Sequence, residues 1–181
     1  NEPDLDRVTP EHHVKACRIA YEQLKAVDPD VTVVAGAVTT SGRVYLEKCI
    51  ELGMLDYCDV VSFHGYVREQ AADAGPAAFR DFTDPLRAAM REQGKAKPIW
   101  DTEAGFGTPS GRAGLEAART FLKGLFVRQA AGISRFYSYM AQPKGFPGAS
   151  HFTLFTGFNE RPLITQPLVA AWARLLGERT L

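Results

Sequence analysis

The sequence has little of several features that mark specialised classes of protein. Positive and negative residues balance at 21 each in 181 residues, which gives no reason to expect a nucleic acid or an anionic membrane surface as partner. No apolar run approaches the roughly 20 residues that cross a bilayer. The three cysteines (Cys17, Cys49 and Cys58) are too few and too odd in number for a disulfide framework, and each lies in an apolar stretch typical of buried free thiols.

The chain alternates between short apolar segments and longer amphipathic ones. The predicted strands are residues 31–38, 59–64, 98–102 and 133–140. The predicted helices are residues 10–27, 43–54, 77–92, 112–130 and 166–176. Strands separated by helices of this length predict βαβ units and a parallel sheet. No linker-like tract divides the chain, so residues 1–181 are predicted to form a single α/β domain, shorter than the roughly 250 residues of a complete eight-stranded βα barrel.

Helical spacing predicts which side chains face the sheet. For the helix near 112–130 these are Leu115, Ala118, Leu122, Leu125 and Gln129. The lysines and arginines along the helices are interpreted as solvated. The adjacent His12 and His13 point about 100° apart on a helix and have no partner at metal-ligand spacing, so we interpret them as surface histidines and predict no metal site there.

Chemically capable side chains follow the ends of the predicted strands. His64 and Tyr66 follow the second strand, and Glu103 follows the third. Asn1-Glu2-Pro3 stands where a further strand would end if the chain extended upstream. Because barrel active sites collect at the carboxyl ends of the strands, Glu2 and Glu103 are expected at equivalent positions of one site. Paired carboxylates with hydrogen-bonding neighbours are what glycoside hydrolysis requires.

Three motifs resemble those of clan A glycoside hydrolases, which are retaining (β/α)8-barrel enzymes. Within the clan, the motifs are most similar to those of families 5 and 39. The motifs are Asn1-Glu2-Pro3, residues 61–66 (VSFHGY) and residues 99–105 (IWDTEAG), in the clan's order. In that clan the Asn-Glu-Pro motif ends the fourth strand and a catalytic Glu ends the seventh. The resemblance therefore implies the C-terminal half of a TIM (β/α)8 barrel, with strands 5–8 and helices 4–8.

The resemblance also implies the roles of individual residues. Glu2 would be the acid/base and Glu103 the nucleophile of a double displacement on O-glycosidic bonds of a polysaccharide or oligosaccharide. Asn1 would contact the sugar 2-hydroxyl, and Tyr66 would hydrogen-bond to the nucleophile. The remaining residues expected to line the substrate site are His64, Tyr137, Tyr139 and His151, the last in a long aromatic-rich connection over 141–165. No metal or organic cofactor is required.

Half a barrel has consequences for partners. It leaves two strand edges unpaired and bares the face that the other half should cover. We therefore expect the half-barrel to pair with a complementary N-terminal barrel half, a second copy of the chain or an upstream segment. The resemblance implies a carbohydrate substrate as the other partner. Polysaccharide hydrolases are commonly exported to the periplasm or the medium, and any export signal would lie upstream of Asn1.

Two other functions stay open from the sequence. One is a catalytically incomplete half-barrel that keeps a sugar-binding or interaction role without turnover. The other is a phosphate-binding half-barrel, which the glycine-rich segment 105–114 before a helix permits. That segment lacks the Gly-Lys-Ser/Thr ending of a P-loop and the glycine spacing of a dinucleotide site.

Overall fold

A parallel sheet with helices packed on one face forms the framework of the protein. The computed structural model describes residues 1–66, 75–104 and 115–139, with the backbone only for 115–121. The helices are α1 (Pro10–Val27), α2 (Arg43–Glu51), α3 (Ala77–Glu92) and α4 (Leu115–Ala130). The strands are β1 (Val34–Thr39), β2 (Val60–His64), β3 (Ile99–Ala104) and β4 (Arg135–Ser138). The predicted helix over 166–176 lies outside the described residues.

The strand order confirms the predicted half of a TIM barrel. The sheet runs β1-β2-β3-β4, in the order of the chain, and all three pairings are parallel. Each pair of neighbouring strands is joined by a helix, as in the repeated βα units of a barrel. Because every strand runs the same way, the carboxyl ends of all four lie at one edge of the sheet.

The ends of the elements differ slightly from the predicted ones. The second helix ends at Glu51 rather than near 54, because Gly53 adopts a left-handed conformation with φ of +89° and a short 3₁₀ turn follows. The last strand begins at Arg135 rather than 133, because the Ile133 amide donates to the Arg128 carbonyl and closes the end of α4.

The hydrophobic core lies between the sheet and the helices. Its largest fully buried apolar side chains include Phe63, Phe79, Leu46, Ile50 and Leu86. The three cysteines are free; Cys49 and Cys58 are buried and Cys17 is half-buried, which agrees with the predicted free thiols. Among the described helices, none has the length and apolar character that a membrane span requires.

Three predictions about helical side chains are wrong. On α4 the buried positions include Leu125, Val127 and Arg128, whereas Gln129 is exposed. Arg128 was expected in solvent, but it is buried because Asp101 of β3 provides a carboxylate partner. His13 is half-buried rather than on the surface, since its Nε2 lies 3.6 Å from the Cys17 sulfur.

Candidate active site

The segment before α1 is attached to the carboxyl end of β1. The Glu2 amide donates to the Ala37 carbonyl at 2.9 Å, and the Leu5 amide donates to the Glu2 carbonyl at 2.9 Å. The Asp4 carboxylate accepts from both the amide (3.1 Å) and the hydroxyl (2.5 Å) of Thr39. These bonds hold Glu2 beside the sheet, where a further strand of a barrel would end.

Strand β1 is irregular at Ala37, where it accepts the hydrogen bond from the Glu2 amide. The pairing of β1 with β2 shifts register around Gly36 and Ala37, and the Ser62 hydroxyl accepts from the Ala37 amide and donates to the Ala35 carbonyl. A side chain at Gly36 would overlap the Ser62 carbonyl. Ala37 (φ +51°) and Glu2 (φ +43°) both adopt left-handed conformations, which are costly for residues other than glycine. Such bulges are common beside active sites, where they redirect a side chain.

His64, Tyr66 and the two glutamates form one hydrogen-bonded cluster. His64 Nδ1 lies 3.0 Å from Glu2 Oε1 and 3.8 Å from Glu103 Oε2. The Tyr66 hydroxyl donates to Glu103 Oε1 at 2.7 Å. One carboxylate oxygen of each glutamate and one ring nitrogen of His64 all lie within 4.8 Å of one another. His64 is buried and both glutamates are half-buried, so the cluster is partly shielded from water.

Tyr66 is a hydrogen-bond donor in this cluster. Burial, followed by the hydrogen bond to Glu103 and the negative charge of that residue, raises the pKa of Tyr66 above its ordinary value. The phenol therefore stays protonated across the physiological pH range. Its ring meets the ring of Tyr139 edge to face, with centroids 6.4 Å apart.

Aromatic side chains of β4 continue the site along the uncovered face of the sheet. Tyr137 lies beside Trp100 with ring centroids 5.9 Å apart, and the Arg135 guanidinium lies 4.6 Å from the centre of the Trp100 ring. Tyr137 and Tyr139 are 42% and 39% exposed. Tyr139 contacts Tyr66, which in turn bonds to Glu103. Tyr137 contacts Trp100 on the same face of the sheet.

Some of the predicted site lies elsewhere or is not covered by the structure. Asn1 is exposed next to Glu2. His151 and the glycine-rich segment 105–114 lie outside the described residues.

Comparisons with known proteins identify the architecture. No family model matches the sequence, and no curated protein matches it. Solved structures do match. A family 39 glycoside hydrolase from Bacteroides cellulosilyticus WH2 superposes with a TM-score of 0.68 at 17% identity, over 92% of this chain and 38% of that one. The described fold is therefore half of a TIM (β/α)8 barrel, the fold that this glycoside hydrolase structure shares.

Two further structures agree with this assignment. An exo-β-1,4-mannosidase from Opitutaceae bacterium strain TAV5 matches 100% of the half-barrel with a TM-score of 0.66 and 18% identity, over 36% of its own length. A family 39 β-xylosidase from Caulobacter crescentus matches 91% with a TM-score of 0.60 and 18% identity, over 38% of its own length. The half-barrel thus spans less than two fifths of the length of these enzymes.

The half-barrel also has one group of side chains close enough to share a metal ion, among the residues that the structure describes. This group is Glu2, His64 and Glu103. Two carboxylates and an imidazole are ligands that zinc and other transition metals accept. The hydrogen bonds among these side chains account for their closeness without an ion.

Sequence reasoning missed a buried ion pair behind the site of the half-barrel. Arg128 Nε lies 2.5 Å from Asp101 Oδ2, and the two side chains are 1% and 0% exposed. Burial raises the pKa of the Asp101 carboxyl, and the Arg128 guanidinium acts against that shift. The sequence does contain a signal, because Asp101 and Arg128 each lie among apolar residues. An isolated charge is almost never fully buried, so a charged residue in such a segment needs a partner of the opposite sign.

Proposed function

We propose that the half-barrel supplies the catalytic carboxylates of a retaining glycosidase that acts on a polysaccharide or oligosaccharide. The observation that carries the proposal is the approach of Glu2 and Glu103, whose oxygens lie within 4.8 Å although they come from separate segments. Carboxyl groups of retaining glycosidases are about 5–5.5 Å apart, whereas those of inverting enzymes are about 6.5–9.5 Å apart. The short separation supports double displacement.

In the first step Glu103 attacks the anomeric carbon as the glycosidic C–O bond breaks. Glu2 gives its proton to the leaving oxygen, so the departing sugar or alcohol leaves neutral and Glu2 becomes anionic. In the second step Glu2 removes a proton from water, the hydroxide oxygen bonds to the anomeric carbon, and the ester bond to Glu103 breaks. Both carboxyl groups then return to their starting states, and no cofactor takes part.

The neighbouring side chains suit these two roles. Tyr66 donates to Glu103 Oε1, which fixes the carboxylate orientation and stabilises its negative charge when the ester bond breaks. His64 Nδ1 lies nearer to Glu2 than to Glu103, so its hydrogen bond orients the acid/base group.

The proposal includes a complementary part of the barrel. β1 and β4 are the outer strands of the described sheet, and a closed barrel pairs both. The two family 39 enzymes and the mannosidase described above are more than twice the length of the half-barrel. We infer that a complementary N-terminal half, an upstream segment or a second copy of the chain completes the substrate cleft.

The test is hydrolysis by the natural protein, together with any segment that precedes Asn1. The substrates are nitrophenyl β-xyloside, β-mannoside and β-glucoside, because xylosidase, mannosidase and glucanase structures are among the matches. A 2-deoxy-2-fluoro glycosyl fluoride of the accepted sugar should leave a covalent adduct on Glu103, detected by mass spectrometry of the digested protein. Glycan binding with neither turnover nor adduct would instead support the non-catalytic half-barrel.

A further inference from the structure

The buried Asp101–Arg128 pair has more partners than a structural ion pair needs. Besides the contact with Asp101, Arg128 donates to the Gly124 carbonyl at 3.2 Å. Its guanidinium also lies 4.6 Å from the ring centres of both Phe79 and Phe136. Removing two charges from water is costly, and a buried ion pair is weak evidence for stability. The pair therefore calls for an explanation beyond the stability of the fold.

Both members of the pair also bind the same residue, Gly65. Asp101 Oδ1 accepts from the Gly65 amide at 2.8 Å, and Arg128 Nη2 donates to the Gly65 carbonyl at 2.6 Å. A Cβ at position 65 would overlap the Asp101 carboxylate, so only glycine allows this close approach. The backbone at Gly65 is thus bonded on both sides by buried side chains that also bond to each other.

Gly65 separates the two residues that contact the proposed catalytic carboxylates. His64 precedes it and bonds to Glu2, and Tyr66 follows it and bonds to Glu103. A rotation of the peptide groups at Gly65 would move both side chains together. Glu103 itself lies two residues after Asp101 on β3, so the same pair connects the strand of the proposed nucleophile to the loop of its hydrogen-bond donor.

We propose that Asp101 and Arg128 are positioning residues that fix the Gly65 backbone and thereby hold His64 and Tyr66 on the two catalytic carboxylates. This inference rests on the proposed glycosidase function. It assigns to two residues on the helix-covered face of the sheet an effect on the rate of the chemical step that is transmitted through the Gly65 backbone.

The test compares Asp101→Asn with Asp59→Asn. Asp59 makes a partly exposed ion pair with Lys25 (3.0 Å) near the start of β2, so the same substitution there breaks an ion pair far from the cluster. We expect Asp101→Asn to lower kcat by about 10- to 100-fold with little change in KM, as for a small misplacement of catalytic groups. Asp59→Asn should leave kcat unchanged.

A double-mutant comparison separates positioning from mere loss of stability. Asp101 is proposed to act through Tyr66 as well as His64, so Asp101→Asn should lower kcat by a smaller factor in a Tyr66→Phe background than in the wild type, because one of the two groups that it positions is already lost. An equal loss of kcat in both backgrounds would show that Asp101 does not act through the Tyr66 hydroxyl, and would overturn the proposal.

Arg128→Lys is the second variant, for the case in which Asp101→Asn fails to fold. Lysine keeps a buried cation beside Asp101 but lacks the planar fork that reaches both Asp101 and the Gly65 carbonyl. A fall in kcat of the same size in the folded variant supports the inference, and an unchanged kcat contradicts it.

Amide exchange at Gly65 keeps this inference separate from the proposed function. In the wild-type protein, NMR of glycine-labelled material should show a slowly exchanging Gly65 amide, and Arg128→Lys should raise its exchange rate at least about tenfold. If the wild type hydrolyses no glycoside but Gly65 behaves in this way, the proposed function fails while the backbone restraint stands. Unchanged exchange in the variant would reject the restraint.

Discussion

The two faces of the sheet are built on different principles. On the face covered by helices, Phe63 is fully buried and stacks on Phe82 with ring centroids 4.6 Å apart. On the opposite face, Trp100 is half-buried and Tyr137 is 42% exposed. The covered face has the close packing that stabilises a domain, whereas the opposite face carries polar and aromatic groups that remain accessible.

Under the proposed function, the residues that stabilise the fold lie on the covered face and the residues that contact the substrate lie on the opposite face. Residues alternate across a strand, so neighbours such as Phe63 and His64 serve the core and the site respectively. The exception is Asp101, which lies on the covered face but binds the backbone of the site. Substitutions on the two faces should therefore change different measured quantities, and the predictions below test that separation.

The largest effect is expected at the proposed nucleophile. Glu103→Gln should lower kcat by a factor on the order of 10⁴ or more, because the amide cannot form the glycosyl ester. This corresponds to about 5 kcal/mol in the activation barrier. The melting temperature should change little, since the half-exposed side chain contributes no core packing. Activity comparable with that of the wild type would reject Glu103 as the nucleophile.

A large effect of the opposite kind is expected on the covered face. Leu46 of α2 is fully buried, so Leu46→Ala should lower the free energy of unfolding by about 2–5 kcal/mol. Below the melting temperature, kcat of the folded protein should stay the same. Leu52→Ala is the matched control, because Leu52 is 38% exposed and its loss should cost no more than about 0.5 kcal/mol. Denaturant titration and kcat of each variant check both expectations.

An intermediate effect is expected from Tyr66→Phe. Losing a hydrogen bond to a charged group costs about 1.5–3 kcal/mol, which predicts a fall in kcat/KM of about 10- to 100-fold. Since the pKa of Tyr66 is raised, its ionisation should not produce an alkaline limb below pH 9 in the wild-type rate profile. Tyr57→Phe is a suitable control on the helical side of the sheet, and equal losses in both variants would contradict a specific role for Tyr66.

Much of the fold followed from the sequence because its pattern is local. Alternating apolar segments such as 59–64 and amphipathic segments such as 77–92 predict βα units, and chain-order pairing gives a half-barrel. Placing Glu2, His64 and Glu103 together needed only the rule that parallel strands end at one edge. The structure brings these three side chains within 4.8 Å of one another, and their catalytic roles stay a prediction.

The features that the sequence does not predict depend on contacts between residues that are distant in the chain. The sequence predicts Arg128 in solvent because an arginine on a helix is usually solvated, whereas its partner Asp101 lies 27 residues earlier in the chain. The bulge at Gly36 and Ala37 depends on the Ser62 hydroxyl, which periodicity within one strand does not reveal. Local spacing predicts which elements form, and long-range contacts decide which charges they bury.

The smallest effect concerns His13, on the helical side of the molecule. Burial against Cys17 and Tyr45 lowers the pKa of His13 below the ordinary histidine value of 6.5. Between the folded pKa and 6.5 the unfolded state binds more protons, so the free energy of unfolding rises with pH in that window and falls as the pH drops below 6.5. The loss should be less than about 1.4 kcal/mol for each unit of pKa difference.

Neighbouring histidines of the same helix make this last prediction specific. His13→Gln should remove the His13 contribution, so the difference in unfolding free energy between wild type and variant should shrink as the pH falls from 7 toward 5. His12 is exposed, so His12→Gln is the matched control for the same substitution on the same helix. Denaturant titrations of the three proteins across this range provide the measurement. Parallel curves for wild type and His13→Gln would show that His13 keeps its unfolded-state pKa in the folded protein.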